Sequence, residues 1–325
     1  MSRRWMTIFA NLGFDVLAVA GEGDADRLVA GLGIDHAVED PPALERALTE
    51  ALSDVELVVV ENLATIPLNL PASLAVGRVL AGRPAILHHH DPPWHRARFQ
   101  HVTELPLRDP AWRHVSINHT AASEMAARGV HSTVIYNGFE HSGRGDRDST
   151  REMLGVDEGE RLLAHPVRAI ERKNVPGAIA LAEATGATYW LLGPAEEGYG
   201  HELARLLRAA QCRVIRHAWS GEADIYAAAD AVMYPSVWEG FGNPPLEAAL
   251  YRRHCVVGHY PFATELRGLG FRFIDPSDTA TLHACLEGPD HDTLELNERL
   301  VSEHFSVARV AADIAELLDR AGWLP

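Results

Sequence analysis

Tyr234-Pro235-Ser236-Val237-Trp238-Glu239-Gly240-Phe241-Gly242-Asn243-Pro244-Pro245-Leu246-Glu247 holds the residues best suited to chemistry. An apolar strand, 231–234, leads into a Gly-rich loop. A helix is predicted from about Pro244, because proline is tolerated in a first helical turn and Asn243 is a good N-cap. Gly240 and Gly242 let the backbone turn sharply and approach a ligand. The helix start offers free N–H groups and the positive end of a dipole, a seat for phosphate. Glu239 and Glu247 bracket that seat. Carboxylates cannot hold phosphate, so their task is to grip hydroxyls, a ribose on one side and a sugar on the other.

A second constellation lies in His165-Pro166-Val167-Arg168-Ala169-Ile170-Glu171-Arg172-Lys173-Asn174. Arg168 leaves a strand end, and Lys173 precedes a helix capped by Asn174 with Pro176 in its first turn. Two fixed cations at such a loop can neutralise a diphosphate leaving group, and charge stabilisation where charge develops is usually the largest catalytic contribution. A bidentate guanidinium and a compact ammonium suit that role together. Arg172 is a neighbour that competes for the assignment. The third cluster is His88-His89-His90-Asp91-Pro92-Pro93-Trp94-His95. In a strand, His88 and His90 share a face and His89 points the other way. Imidazoles so spaced could converge on zinc. No Cys or evident further ligand accompanies them, so no metal is expected.

The strand, the Pro-Ser pair, Glu-Gly-Phe-Gly and a second Glu eight positions after the first resemble the signature of retaining glycosyltransferase family 4. The resemblance implies an α/β protein of GT-B architecture, two doubly wound Rossmann-like domains facing a central cleft. It implies that Glu239 faces the donor sugar and that Glu247 meets the ribose of a nucleotide sugar. Gly240, Phe241, Gly242 and Asn243 would form the donor loop between them. Arg168 and Lys173 match the family's Arg and Lys, which stabilise the departing diphosphate without a metal ion. His90, before Asp91, best matches a His close to the donor sugar, with His88 and His89 as register alternatives. Gly193-Pro194 resembles the family's Gly-containing loop near the nucleotide, and Glu265 matches a Glu in a donor-facing loop. The stretch 168–174, with His259-Tyr260-Pro261 and Leu269-Gly270-Phe271, also looks like a subgroup that builds small glycosides such as glycosylated glycerates.

The elements that must position these residues follow from the pattern. At 325 residues, two domains are the natural expectation. A helix at 3–12 precedes a strand at 15–20, and the apolar run 55–60 reads as a strand buried on both faces. A helix at 72–80, strands at 85–87, 114–118 and 133–136, and a helix at 121–128 complete a first domain, 1–139. Family members open with a strand and a Gly loop ahead of that first helix. Neither is read here, so either the native start lies upstream or the element has been lost. Residues 140–149 are polar and non-periodic, an expected linker. The second domain, 150–305, alternates strands at 162–167, 189–192, 213–216, 231–234, 255–258 and 272–274 with helices at 176–185, 201–210, 222–229 and 293–303. The last segment, 306–325, carries the helix that in GT-B proteins crosses back to the first domain. Ligands in such sheets sit beyond the carboxyl ends of the strands, which points to Asn62, Asp91, Trp94, Arg96 and Asn118 as acceptor-side candidates.

Composition excludes other classes. A hydrophobic content of 47% with 23% charged residues describes a soluble globular chain. The formal net charge of −16 and the lack of a basic stripe argue against a nucleic-acid partner. Cys212, Cys255 and Cys285 are odd in number and scattered, reading as reduced core residues of a cytoplasmic protein. No apolar run reaches the ~18 residues of a membrane span, while contact at a membrane surface and the oligomeric state stay open. The expected function is therefore metal-independent, retaining transfer of a hexosyl group from a UDP- or GDP-linked sugar to a hydroxyl acceptor, with no cofactor. The alternatives are a non-catalytic nucleotide-sugar-binding protein and a GT-B epimerase or phosphorylase. A glycoside hydrolase fits less well, because it leaves Arg168 and Lys173 without a task.

Overall fold

A computed structural model describes residues 2–34, 38–216 and 221–325. Its contacts divide the chain into two units, Met1–Gly138 together with Val307–Pro325, and Phe139–Ser306.

The first unit begins with α1 (Ser2–Asn11), then a short parallel pair, β1 (Val19–Ala20) and β2 (Arg27–Leu28). After it come α2 (Pro41–Ala51), β3 (Val58–Glu61), α3 (Leu70–Leu80), β4 (Ala85–His89), β5 (Trp112–Ser116), α4 (His119–Ala126) and β6 (Ser132–Val134). The four longer strands lie in the order β3-β4-β5-β6, all parallel. Alternation along β4 sends Ile86 to one face and Ala85 and Leu87 to the other. Ile86 packs with Trp5, Ile8 and Phe9 of α1 and with Ile314 and Leu318 near the C-terminus. Leu87 packs with Leu44 and Leu48 of α2 and Val76 of α3. Both faces are covered, as a parallel sheet requires.

Two expectations shift here. The strand predicted at 15–20 is formed only at Val19–Ala20, because its partner supplies just two residues. The strand predicted at 55–60 runs instead over Val58–Glu61, which carries Glu61 into the ladder. Helix α2 is not anticipated by the apolar pattern, although Asp40 caps it by accepting from the Ala43 N–H at 3.0 Å.

The second unit holds α5 (Arg147–Leu154), β7 (Leu162–His165), α6 (Val175–Thr185), β8 (Thr188–Leu191), α7 (Gly200–Ala209), β9 (Val214–Arg216) and α8 (Glu222–Ala228). These lead to β10 (Ala231–Tyr234), α9 (Asn243–Leu250), β11 (His254–Val257), α10 (Pro261–Gly268), α11 (Thr279–Glu287) and α12 (His291–His304). Helix α13 (Val307–Ala321) belongs to the first unit. The sheet order is β11-β10-β7-β8-β9, all parallel. The chain winds outward from β7 through β9, then returns to the other side of β7 with β10. The winding direction reverses between β7 and β10, the place in such a sheet where ligands bind.

The expected linker at 140–149 is partly helix. Asp146 caps α5 by accepting from the Ser149 N–H at 3.0 Å, and Gly155 ends it at φ 65°. Arg151, 5% exposed, donates to the carbonyls of Ala228 and Asp157 at 3.0 Å each. Arg147 pairs with Asp230 at 2.5 Å. These bonds fasten a charged helix to the second unit. The strand expected at 272–274 is a single bridge, Val256 to Ile274.

Behind the β10–α9 loop lies an aromatic cluster. Phe241 stacks on Phe262 with centroids 4.1 Å apart, and Phe305 meets both edge-on. Among the described residues no helix is long and apolar enough to cross a membrane. Phe262→Ala leaves a cavity in a fully packed cluster and is expected to lower the unfolding free energy by about 3–5 kcal/mol, read as a lower urea midpoint.

Candidate functional site

A pocket of about 520 Å³ opens at the reversal point of the second unit's sheet. Arg168, Lys173, Gly193, Glu239, Gly242, Asn243 and Glu247 all line it, so seven residues singled out from sequence converge on one place. Pro166, Val167, Leu192 and Ile225 supply an apolar wall.

The loops after β7 and β10 are stitched together. Asn174 sits at φ 52°; its Oδ1 accepts from the Gly177 N–H at 3.1 Å, capping α6, while its Nδ2 donates to the Pro235 carbonyl at 3.1 Å. Asn and Asp visit that left-handed region more readily than other side chains. The Val237 N–H donates to the Arg172 carbonyl at 2.9 Å. These bonds aim Lys173 at Glu239. Its Nζ donates to Glu239 Oε1 at 2.6 Å and to the Tyr234 hydroxyl at 2.9 Å. Arg172 donates to the other carboxylate oxygen and to the Trp238 carbonyl. Glu239 and Lys173 are 6% and 8% exposed. A pair so enclosed is tolerable only because each charge is met and the remaining lone pairs are bonded. Burial lowers the pKa of Lys173, Glu239 offsets part of that, and Arg172 and Arg168 lower it further.

Arg168 and Lys173 both line the pocket, and Arg172 is a further cation beside them. Arg168 is half exposed and forms its ion pair with Glu196 at 2.7 Å, while Arg172 shares Glu239 with Lys173. Five residues of spacing did not disclose this, because the chain makes a 3₁₀ turn over Glu171–Lys173. The N-cap also moves. Gly242, at φ 87°, is the capping position of α9, and Asn243 is already helical. A Cβ at Gly242 would meet the Tyr234 ring at 3.0 Å, so glycine is required twice over. Glu247 accepts from the Tyr226 hydroxyl. That phenol stays protonated, its pKa raised by burial and by the Glu247 charge.

Gly193 brings in the third loop. Its N–H donates to the Val167 carbonyl at 3.0 Å, and a Cβ there would lie 2.2 Å from the same oxygen. Three predicted donor-loop residues do not line the pocket. Phe241 is buried in the aromatic cluster, Glu265 lies in the second turn of α10, and Gly240 lies in the loop beside Glu239. Tyr234 and Tyr226, which hold Lys173 and Glu247, were not anticipated. The signal for Tyr234 was its place at a strand end directly before Pro235-Ser236.

His90 and the acceptor-side candidates belong to the first unit. His88 and His90 share a face, with ring centroids 4.2 Å apart, as strand geometry predicts. His89 turns the other way, toward Thr65 Oγ1 at 2.6 Å and His114 at 2.9 Å. The expectation that no further ligand accompanies the two imidazoles fails. The parallel register sets Glu61 opposite His88, and its Oε2 lies 3.2 Å from His88 Nδ1 and 3.1 Å from His90 Nε2. Asn62 Oδ1 accepts from the backbone N–H groups of His90 and Asp91 at 3.0 and 3.1 Å, and Arg96 reaches Asp91 at 3.3 Å. Trp94 donates to Glu124 at 2.7 Å. Asn118, 2% exposed, caps α4 by accepting from the Ala121 N–H at 2.7 Å, a structural task for that oxygen.

With this geometry in view, the comparisons fall into place. No family model matches the chain. Mannosylglucosylglycerate synthase of Thermotoga maritima is 26% identical over 75% of this chain and 67% of its own length. The chain spans about two thirds of the length of the curated relatives it matches. Among solved structures, the Anabaena HepE protein in complex with UDP and glucose matches with a TM-score of 0.70 at 20% identity, over 86% of this chain and 82% of its own. Sucrose-phosphate synthase from Thermosynechococcus elongatus matches with a TM-score of 0.74 at 14% identity, over 98% and 92%. The fold is the GT-B fold of glycosyltransferases, α/β with parallel sheets.

Gly193→Ala is expected to cost about 1–3 kcal/mol by forcing the Val167 carbonyl aside. Gly268→Ala, in a helix with nothing within 4 Å of its Cβ, should be neutral or stabilise by up to ~1 kcal/mol. Paired denaturation curves check both.

Proposed function

We propose that the chain is a retaining glycosyltransferase that moves a hexosyl group from a UDP- or GDP-linked sugar to a hydroxyl of a small acceptor. The observation that carries this reading is the convergence of Lys173, the α9 N-terminus, Glu239 and Glu247 on one pocket. The N–H groups of Gly242 and Asn243 and the positive end of the α9 dipole suit a diphosphate, while Pro244 and Pro245 have no N–H to give. Lys173, with Arg168 at the rim, meets the charge that develops as the bond from sugar to phosphate breaks. An arriving diphosphate competes with Glu239 for Lys173 and Arg172, which frees carboxylate oxygens for the sugar hydroxyls. Glu247, steadied by Tyr226, takes the ribose. Among the described residues, the two carboxylates that line the pocket, Glu239 and Glu247, are taken up by these contacts. In this reading the leaving group departs with the bonding electrons, the acceptor attacks the same face, and a phosphate oxygen takes its proton.

Side-chain cations answer the diphosphate charge, so transfer needs no metal at this pocket and no cofactor. The three cysteines are free thiols, which suits a cytoplasmic enzyme. Likeness to mannosylglucosylglycerate synthase supports a glycosylated glycerate as acceptor, and HepE with UDP and glucose supports a uridine donor.

Calorimetric titration with UDP, GDP and ADP, each with a chelator present, tests the donor site. One nucleotide should bind, and Glu247→Ala should abolish that binding. Binding of none sinks the reading. Lys173→Ala should lower kcat by about 10²–10³-fold with the fold intact. Turnover should also fall at alkaline pH. Lys173 must be charged to meet phosphate and its pKa is depressed, so the loss sets in below the ~10.4 of an ordinary lysine. Residual turnover of Lys173→Arg should lack that alkaline limb.

A further inference from the structure

We infer that Glu61, His88 and His90 form a binding site for one divalent transition-metal ion, zinc above the others, at the carboxyl edge of the first unit's sheet. The three donor atoms form a nearly equilateral triangle. Glu61 Oε2 to His88 Nδ1 is 3.2 Å, Glu61 Oε2 to His90 Nε2 is 3.1 Å, and His90 Nε2 to His88 Nδ1 is 3.3 Å. A tetrahedral zinc ion with bonds of about 2.0–2.1 Å has ligand-to-ligand edges of about 3.3 Å. The triangle is thus already one face of a zinc tetrahedron, and the fourth corner is left for water or a ligand, as in sites with three protein ligands. Two imidazoles with one carboxylate favour zinc over magnesium or calcium, which take oxygen sets.

The backbone holds the triangle ready. Glu61 and His88 are register partners on adjacent parallel strands, and His90 follows two residues on with its ring on the same side. The His88 ring stacks on Trp5, centroids 4.2 Å apart and 24° between planes. His90 is held from behind by Asn62, whose own φ of 59° is a sparsely populated conformation that the clamp maintains.

Burial adds to the case. His88 is 1% exposed. Glu61 Oε1 is buried without a hydrogen-bond partner among the described residues, a cost that an adjacent cation offsets.

The test uses the full chain, stripped with a chelator, dialysed, and titrated with zinc and separately with cobalt. One zinc ion per chain is expected, with the intense visible absorption of four-coordinate cobalt. Glu61→Gln and His90→Gln should each weaken zinc binding by about tenfold or more and abolish the cobalt band. The chain has 18 histidines, so binding that survives either substitution is adventitious and overturns the inference. Absence of binding at micromolar zinc does the same, and leaves a carboxylate that merely accepts two imidazole N–H bonds. Should either variant fail to fold, the cobalt spectrum of the unaltered chain decides, and a weak six-coordinate spectrum overturns the site.

Discussion

The carboxylate of Glu239 is the point on which the second unit's site depends. It is almost fully buried and bonded on one oxygen by Lys173 and on the other by Arg172. Remove it, and the nearly buried Lys173 keeps only the Tyr234 hydroxyl as partner, beside the charge of Arg172. The loop after β7 and the loop after β10 would then lose the charge that joins them. The backbone bonds from Asn174 and Val237 keep the loops in register but cannot neutralise anything.

Parallel topology explains why the site falls where it does. Every strand in both units points its carboxyl end the same way within its sheet, so side chains from distant segments gather along one edge. In the second unit the winding reverses between β7 and β10, and a pocket opens there. In the first unit the described strands follow sequentially from β3 to β6, and the same edge gathers side chains without a reversal. Glu61, His88, His90, Asn62 and Asp91 meet there through ladder register alone. The two edges share a principle and differ in result: one makes a cavity, the other a cluster.

Much of this was legible in sequence because it is local. Apolar runs marked the buried strands, and the Asn174-Val175-Pro176 start of α6 announced its cap. The Gly-rich run after β10 supplies four of the seven predicted residues that line the pocket, Glu239, Gly242, Asn243 and Glu247. The parts that were not legible are those settled by tertiary contact. Helix α5 carries four charged residues in its eight and looks like a solvated linker, yet Arg151 is buried because carbonyls from elsewhere in the unit accept its hydrogen bonds. That Arg172 also reaches Glu239 depends on the 3₁₀ turn, which spacing does not reveal. Glu61 lies 27 residues from His88 and reaches it only through the ladder. Asn243 looked like the cap, but Gly242 takes the left-handed conformation that the capping position needs here, and the helix begins one residue earlier.

The fastening of α5 bears on modular exchange between proteins of this architecture. Arg147 and Arg151 commit this helix to the second unit, and the chain changes unit at 138/139 and again at 306/307. A chimera joined at residue 150, where composition alone would put the seam, would cut through α5 after its third residue and strand Asp230 without its guanidinium partner from Arg147. The natural seams are the two unit crossings. A second unit moved between chains must therefore carry α5 with it and leave α13 behind, so inheritance of the two units follows packing and not the polarity of the connecting segment.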